Sequence, residues 1–177
     1  KDRLPDALAS VSFADEIVVA DTGSTDGTQD LARERGARVV EIPWEGFVAS
    51  RNRALALAKN DWVLVLDADE RVPPELRESL LAALAKAPES LSGFRMPRLS
   101  YFFDEPVRHG TWYPDVKLRV GRRSRGIRAE GGRVHEVLVV NGPVKRLRHP
   151  LLHFPNRSMS EALRKGWLYA SLGAEDR

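Results

Sequence analysis

Hydrophobic residues in the first half of the chain follow two alternating patterns. Short continuous runs rich in Val, Ile and Leu, typical of buried strands, lie at 16–20, 38–42 and 62–66. Amphipathic or capped stretches predict helices over 1–14, 27–35, 47–58 and 75–87. Strands that alternate with helices through short links predict a parallel, right-handed, doubly wound sheet of the α/β class, with helices on both faces.

The pattern changes after Pro88, where helical spacing gives way to extended and aromatic stretches. An extended segment over 93–103 is followed by a loop, and further strands are predicted over 117–120, 134–140 and 146–153. A closing helix is predicted over 158–172, capped by Ser158 or Ser160. We interpret the chain as a single domain over 1–177, with a nucleotide-binding half over 1–88 and a half over 89–177 that faces a second substrate.

Two aspartates follow the third predicted strand. Asp67 and Asp69 stand where the apolar run ends, and ligands in open α/β sheets bind just beyond the carboxyl ends of the strands. Carboxylates at i and i+2 can reach one divalent cation and the phosphates that it carries. The alternative is an Asp-x-Asp pair in an ordinary solvated turn.

A glycine-rich loop follows the first strand. Asp21 stands at the carboxyl end of that strand and opens the sequence DTGSTDGT. Asp26 with Gln29 three residues on is typical of a capping box that begins the next helix. Capping explains Asp26 but does not explain Asp21.

Composition narrows the class of protein. The chain has 177 residues, 42% of them hydrophobic and 30% charged, which is enough to bury one sizeable core. No apolar run approaches the roughly 20 residues that span a bilayer. The absence of cysteine excludes disulfides and thiolate sites and suits a reducing compartment. The first residue is Lys1 rather than Met, so we expect a piece of a longer chain, from which a targeting segment can have been lost.

Basic residues are concentrated in one stretch. The formal net charge is only +3, yet residues 117–128 contain six basic residues and no acidic residue. The basic residues are Lys117, Arg119, Arg122, Arg123, Arg125 and Arg128. A solvated basic face is the first interpretation. The alternatives are contact with an anionic ligand, a lipid headgroup or a nucleic acid.

The motifs, in this order and spacing, resemble family 2 glycosyltransferases. They are DTGSTDGT after a strand, RNRAL at a helix start and DADE after the next strand. The later elements GTWYPDVKLRV, VHEVL and PLLHF are similar to the bacterial branch that adds sugars to lipopolysaccharide core and related glycans. The resemblance implies a GT-A fold with a Rossmann-like mixed sheet, a nucleotide-sugar donor, a divalent metal and inversion at the anomeric carbon.

The resemblance also implies roles for individual residues. It places Asp21 against the nucleotide base, with the pocket shaped by Ser24 and Asp26, and it places Arg51 near the diphosphate. Asp67 would lie by the ribose and the metal, and Asp69 would ligate the metal. Mn²⁺ or Mg²⁺ would neutralise charge on the departing nucleoside diphosphate.

Inverting transfer needs a general base, and here the chain departs from the pattern. Many relatives carry a Glu-Asp pair where this chain has His135 and Glu136. We expect Glu136 to be the base, with Asp115 as the second candidate. The alternative for Glu136 is a structural pairing with a nearby arginine. His135 is either a hydrogen-bonded structural residue or a metal ligand. The same alternatives hold for His153, which can also contact the diphosphate.

Trp112 and Tyr113 are candidates for the acceptor side. An aromatic pair in the loop before the 117–120 strand either packs in the core or forms a stacking platform for the acceptor sugar.

Relatives begin with an apolar strand that this chain lacks. We therefore expect a sheet without its first strand, and weak or absent donor binding if the missing strand is needed. The expected partners are a uridine diphosphate hexose and a glycan or lipid-linked acceptor, with peripheral contact to anionic lipid at the inner face of the cytoplasmic membrane and no nucleic acid.

Two other function classes remain open at this point. One is a non-catalytic module that binds nucleotide sugars, anionic ligands or nucleic acid through residues 117–128. The other is a haloacid-dehalogenase-like phosphatase, which also uses Asp-x-Asp after a strand, although there the pair follows the first strand.

Overall fold

The structure is a computed structural model that describes residues 1–103, 105–132, 136–156, 158–164 and 167. Helices and strands alternate in the first part of the chain, as α1 (Leu4–Ser10), β1 (Val18–Asp21), α2 (Thr28–Glu34), β2 (Arg38–Glu41), α3 (Phe47–Ala56), β3 (Trp62–Leu64), β4 (Glu70–Arg71) and α4 (Pro74–Ala85).

Strands dominate the second part. They are β5 (Gly93–Phe102), β6 (Glu105–Pro106), β7 (Asp115–Arg122), β8 (Arg128–Gly131), β9 (Glu136–Val139), β10 (Val144–Arg146) and β11 (Leu151–His153). Short 3₁₀ turns occupy Gly110–Trp112 and Arg123–Arg125.

Strands β1 and β2 form a small parallel sheet. Val18 lies opposite Arg38, and Asp21 lies opposite Glu41. Buried residues of α1 and of the α2 region pack against this pair and form a small core of Leu4, Leu8, Ala32 and Ala37. Leu4 and Leu8 are four positions apart and therefore lie on the same face of a helix. Burial of that face stabilises α1 at this place.

A larger mixed sheet carries the strand order β3-β7-β5-β11-β4. β7 runs antiparallel to both β3 and β5, whereas β11 runs parallel to β5 and antiparallel to β4. Helix α4 packs its buried face on this sheet, and the main core includes Leu76, Leu80, Phe94, Met96, Val120 and Leu151. The predicted α/β class and mixed sheet are therefore present.

The prediction that β3 continues a parallel sheet beside β1 and β2 is wrong. Among the described strands, β3 pairs with β7, where Leu64 lies opposite Val120, and β1 pairs only with β2. An apolar run indicates burial on both faces, but it fixes neither the neighbour of a strand nor its direction.

The capping box predicted for α2 is also wrong. The residue before the helix is Gly27, which has a left-handed φ of 79°, and no side chain caps the helix. Asp26 accepts a hydrogen bond from the Thr28 N–H at 3.1 Å. Gln29 donates to Asp21 instead of returning to the backbone, because a buried carboxylate requires donors.

Other elements differ in extent from their prediction. α1 is shorter than 1–14, β1 reaches Asp21, and the strand predicted over 146–153 is divided between β10 and β11. β4 and β8 were not predicted. Two-residue and highly charged strands such as these depend on tertiary pairing more than on local pattern.

The closing helix is described over 159–164 and at 167. The Ser158 hydroxyl accepts the Glu161 N–H at 3.2 Å, which confirms Ser158 as the cap. The rest of the predicted helix lies outside the described residues. In the part of the chain that the structure describes, no helix is long and apolar enough to cross a membrane.

Candidate functional site

Asp21 organises the glycine-rich loop from its base. Its Oδ2 atom accepts hydrogen bonds from the Gly23 N–H at 3.0 Å, the Ser24 N–H at 2.8 Å and Gln29 Nε2 at 2.8 Å. Burial works to raise the pKa of Asp21, but the hydrogen bonds from Ser24, Gln29 and Gly23 outweigh burial and lower it. The loop is thus held by an ionised carboxylate at the carboxyl end of β1.

Asp26 lies further out on the same loop and is exposed. It accepts hydrogen bonds from both the N–H and the hydroxyl of Thr28. The hydrogen bond from the Thr28 hydroxyl is the largest influence on the pKa of Asp26 and lowers it. Asp26 therefore shapes the outer loop and does not cap α2.

Asp67 lies between two arginines after the end of β3. Arg51 Nη2, from α3, donates to its Oδ1 at 2.9 Å, and Arg119 Nη2, from β7, donates to its Oδ2 at 2.9 Å. Burial would raise the pKa of Asp67, but Arg119 and Arg51 hold it at about 2. The carboxylate is therefore ionised at neutral pH, and both of its oxygens are oriented by cations.

Glu70 lies beneath Asp67 and is completely buried. Its Oε2 accepts the Asp67 N–H at 3.1 Å, its Oε1 contacts Arg119 Nη2, and its own N–H donates to the Asp67 carbonyl at 2.9 Å. Burial raises the pKa of Glu70, and Arg119 offsets part of that effect. The turn that carries Asp67 and Asp69 is thus bonded to Glu70 through both main chain and side chain.

Acidic and basic side chains alternate through the site in a continuous series of ion pairs. We call it the charge row: Glu136, Arg51, Asp67, Arg119, Glu70, Arg98, Asp115 and Lys117. The row draws on α3, on the segment after β3, and on strands β5, β7 and β9. It links both candidate bases to Asp67.

Asp69 and His153 form a second cluster beside the row. His153 Nε2 lies 3.8 Å from Asp69 Oδ2, and His153 Nδ1 lies 2.9 Å from the Ser100 hydroxyl. Burial, followed by the charge of Arg98, lowers the pKa of His153 to about 4. The imidazole is therefore neutral at pH 7, and when Nδ1 carries the proton toward Ser100, Nε2 offers a lone pair on the side of Asp69.

The structure brings two of the predicted metal ligands, Asp69 and His153, close together. Asp69 and His153 supply a carboxylate and a neutral imidazole within reach of one ion. Within residues 1–103, 105–132, 136–156, 158–164 and 167, no group of three His, Asp or Glu side chains is arranged to hold a metal. Asp67 is engaged by two arginines, and His135 lies outside the described residues. The two-residue set suits a cation that takes its other ligands from phosphate and water.

The two candidate bases differ in their surroundings. Glu136, at the start of β9, contacts Arg51 Nη2 at 3.0 Å, so the structural pairing considered for Glu136 is present. Asp115 accepts two hydrogen bonds from Arg98 at 3.1 and 2.8 Å, and Lys117 Nζ lies 3.0 Å from its other oxygen. Asp115 is therefore the more strongly held of the two carboxylates.

Trp112 lies in the 3₁₀ turn before β7 and is 53% exposed. This exposure rules out core packing as its role. Tyr113, the next residue, is half-buried. A large exposed aromatic ring close to Asp115 in sequence offers a surface on which a sugar can stack.

The predicted basic face over 117–128 is largely neutralised by carboxylates. The ion pairs are Lys117 with Asp115, Arg119 with Asp67 and Glu70, Arg122 with Asp61, and Arg128 with Glu130. Arg123 and Arg125 donate to backbone carbonyls. The stretch is therefore not a uniform basic surface.

The sequence did not identify several residues that build the site. Arg119 was assigned to the basic face, although its alternation with Val116, Leu118 and Val120 is typical of a strand and was the available signal. Arg98 and Arg3 had no signal in the sequence. Arg3 Nη1 lies 3.6 Å from Asp69, and its Nη2 donates to both carboxylate oxygens of Glu161.

A comparison with protein-family models decides the assignment. The model of glycosyl transferase family 2 matches residues 1–141. The chain belongs to this family. The prediction of a family 2 glycosyltransferase is confirmed, and the alternative of a haloacid-dehalogenase-like phosphatase is not supported.

Curated relatives of this family 2 glycosyltransferase are bacterial. The lipopolysaccharide core biosynthesis glycosyltransferase LpsC of Rhizobium meliloti is 34% identical over 180 residues, which cover 96% of this chain and 65% of LpsC. An uncharacterised glycosyltransferase of Rickettsia bellii is 43% identical over 79 residues, which cover 44% of this chain and 27% of that protein. The chain thus spans less than two thirds of the length of each of these relatives.

A solved structure supports the fold of the family 2 chain. TarS of S. aureus, residues 1–349 in complex with UDP-GlcNAc, superposes with a TM-score of 0.63 at 15% sequence identity. The match covers 92% of this chain and 57% of the TarS chain. The predicted GT-A fold is confirmed.

Proposed function

We propose that the chain provides the donor and catalytic site of an inverting, metal-dependent glycosyltransferase. The donor is a hexose linked to a nucleoside diphosphate, with uridine diphosphate as the expected nucleotide. The acceptor is a glycan or a lipid-linked sugar such as lipopolysaccharide core. This assignment rests on family membership, on the name of LpsC and on the chemistry of the site.

One observation carries the proposal. An ionised Asp67 follows the half-buried strand β3, with Arg51 bonded to one of its oxygens, and Asp69 follows two residues later beside a neutral His153. Cationic and carboxylate groups at one sheet edge can serve the two ends of a nucleoside diphosphate, since Arg51 suits a phosphate and Asp67 suits a ribose hydroxyl.

The loop after β1 is the proposed base pocket. Asp21 fixes the loop through the N–H groups of Gly23 and Ser24, and Asp26 fixes its outer end. TarS, which shares the fold, was crystallised with UDP-GlcNAc, and this supports a uridine nucleotide for the present chain.

Asp69 and His153 would hold Mn²⁺ or Mg²⁺ together with oxygens of the diphosphate, while Asp67 stays paired with Arg51 and Arg119. A divalent cation supplies Lewis-acid stabilisation of the departing nucleoside diphosphate. The Ser100 hydroxyl holds the His153 ring in place through Nδ1.

Glu136 is the proposed general base. Within the charge row Glu136 is paired with Arg51, whereas Asp115 is paired with both Arg98 and Lys117. A base needs a lone pair that can reach the acceptor hydroxyl, so the less constrained carboxylate is favoured. Glu136→Gln should lower the rate of sugar transfer by about 10²–10⁴-fold while leaving the affinity for uridine diphosphate within about twofold.

The exposed ring of Trp112, with Tyr113 beside it, is the proposed acceptor platform. We place the protein in the cytoplasm, with peripheral contact to the inner face of the membrane where lipid-linked acceptors are presented. Pairing of the 117–128 arginines makes this stretch a weaker lipid contact than its charge indicates.

Calorimetric titration of uridine diphosphate, with and without Mn²⁺, tests the proposal. The wild-type chain should bind the nucleotide more tightly when Mn²⁺ is present, and Asp69→Asn should lose that metal-dependent gain. Asp30→Asn, at an exposed position on α2, is the matched control and should bind as the wild type does. Absence of binding both by this chain and by a version extended with an apolar strand ahead of Lys1 would refute the assignment of the donor site.

A further inference from the structure

The buried pair of Glu70 and Arg119 has no route to the donor. Glu70 is completely buried and Arg119 is 7% exposed, so neither side chain can contact a bound nucleotide. Their contacts are directed at Asp67. Arg119 Nη2 touches one oxygen of Asp67 and one oxygen of Glu70, and the other oxygen of Glu70 accepts the Asp67 N–H.

Main-chain hydrogen bonds fix both members of the pair relative to the Asp67 turn. The Val65 N–H donates to the Arg119 carbonyl at 2.8 Å, so the segment after β3 remains attached to β7. Glu70 begins β4, which pairs with β11, where His153 lies opposite Glu70. The pair thus joins β7, to which the segment before the turn is bonded, to β4, which follows the turn.

Stability alone does not explain a charged pair at this place. Taking two charges out of water is costly, and replacing a buried ion pair by apolar residues of similar volume is often neutral or stabilising. Within the described part of the chain, the buried Nε of Arg119 also has no hydrogen-bond partner, which adds to the cost. A pair retained under these conditions is better explained by the orientation that it imposes on Asp67.

We propose that Arg119 and Glu70 are positioning residues that set the orientation of the Asp67 carboxylate for the donor nucleotide. Arg119 takes up one oxygen of Asp67, which leaves the other on the side of Arg51 and the donor. Glu70 fixes the backbone at Asp67, so that the carboxylate cannot rotate away. This inference rests on the proposed function, because it takes the donor to be a nucleoside diphosphate.

The double variant Glu70→Leu with Arg119→Met separates positioning from stability. Both replacements are apolar and of similar size, so neither charge of the pair stays buried without its partner. The melting temperature should fall only by what the unsatisfied N–H and Oδ2 of Asp67 cost, and the variant should still fold. The dissociation constant for uridine diphosphate, measured by calorimetry with Mn²⁺, should rise by about tenfold or more. The single variants Glu70→Gln and Arg119→Lys, which keep polarity and size, should also weaken nucleotide binding.

The matched control uses another arginine pair on the same strand. Arg122 on β7 contacts Asp61 at 2.7 Å and lies over the ring of Trp62. Arg122→Met with Asp61→Leu should change stability without changing nucleotide affinity by more than about twofold.

The outcomes distinguish the two proposals. If neither the wild-type chain nor a version extended with an apolar strand ahead of Lys1 binds uridine diphosphate, the proposed donor is refuted, and the inference with it. A wild-type chain that binds, together with a folded double variant that binds equally well, refutes the positioning role alone. If the double variant does not fold, folded single variants with wild-type affinity lead to the same rejection.

Discussion

Asn52 connects helix α3 to the hairpin that carries Glu136. Its Oδ1 accepts the Ala129 N–H at 2.8 Å, and its Nδ2 donates to the Ala129 carbonyl at 3.0 Å. Ala129 lies on β8 and is buried, and β8 pairs with β9 so that Gly131 lies opposite Glu136. The amide of Asn52 thus bonds the free edge of β8 as another strand would.

The size of the effect follows from these two bonds. A typical hydrogen bond contributes about 0.5–1.5 kcal/mol net, and a buried polar group left without a partner costs about 1–3 kcal/mol. Asn52→Leu removes both bonds and leaves two groups of Ala129 unsatisfied, so we expect a loss of about 2–4 kcal/mol in the free energy of unfolding. Asn52→Asp keeps an acceptor but loses the donor, and should cost about 1–3 kcal/mol.

Urea unfolding followed by tryptophan fluorescence measures this loss. The midpoint should fall while the slope of the transition stays unchanged, because the same surface is exposed on unfolding. Asn60, which is exposed before β3, provides the control, and Asn60→Leu should change stability by less than about 0.5 kcal/mol. A loss below about 0.5 kcal/mol for Asn52→Leu would refute the reasoning, because water would then replace the amide at no cost.

Two further predictions concern Gly121 on β7 and Asp61, which immediately precedes β3. In Gly121→Ala the new methyl group would meet the side chain of Ile127 at 2.7 Å, and overpacking of this kind should cost about 1–3 kcal/mol in thermal unfolding. For Asp61, burial would raise the pKa, but hydrogen bonds from Ser124 and Arg122 hold it below its ordinary value of 3.8. The stability that the ionised Asp61 contributes should therefore be complete above pH 3.8 and be lost as the pH falls further. The difference in unfolding free energy between wild type and Asp61→Asn should shrink over that range, and a constant difference would contradict the prediction.

Local sequence was sufficient to place two acidic residues close to the carboxyl ends of strands. Asp21 and Asp67 each follow an apolar run, and Asp21 ends β1 whereas Asp67 comes three residues after β3. The short motifs then identified the family, because each depends on residues that are close in sequence. Ser158 as the cap of the last helix is local in the same sense.

Contacts between distant parts of the chain could not be predicted in this way. Arg119 meets Asp67 across 52 positions of sequence, and Arg51 meets Glu136 across 85. Each contact depends on which strands become neighbours, and an apolar run does not specify its neighbour. The pairing of β3 with β7 brings Arg119 into the site. The sequence pattern had placed this arginine on a basic surface instead.

The charge row has a kinetic consequence. Its four acidic and four basic side chains balance one another, so little field extends from it into solvent. Clefts lined by charge of one sign attract ligands over distance and make association fast and sensitive to ionic strength. Here an anionic donor meets cations that already have partners, and it gains their attraction only at close range. The association rate constant of the nucleotide should therefore be lower than that of electrostatically steered binding, and it should change little with added salt.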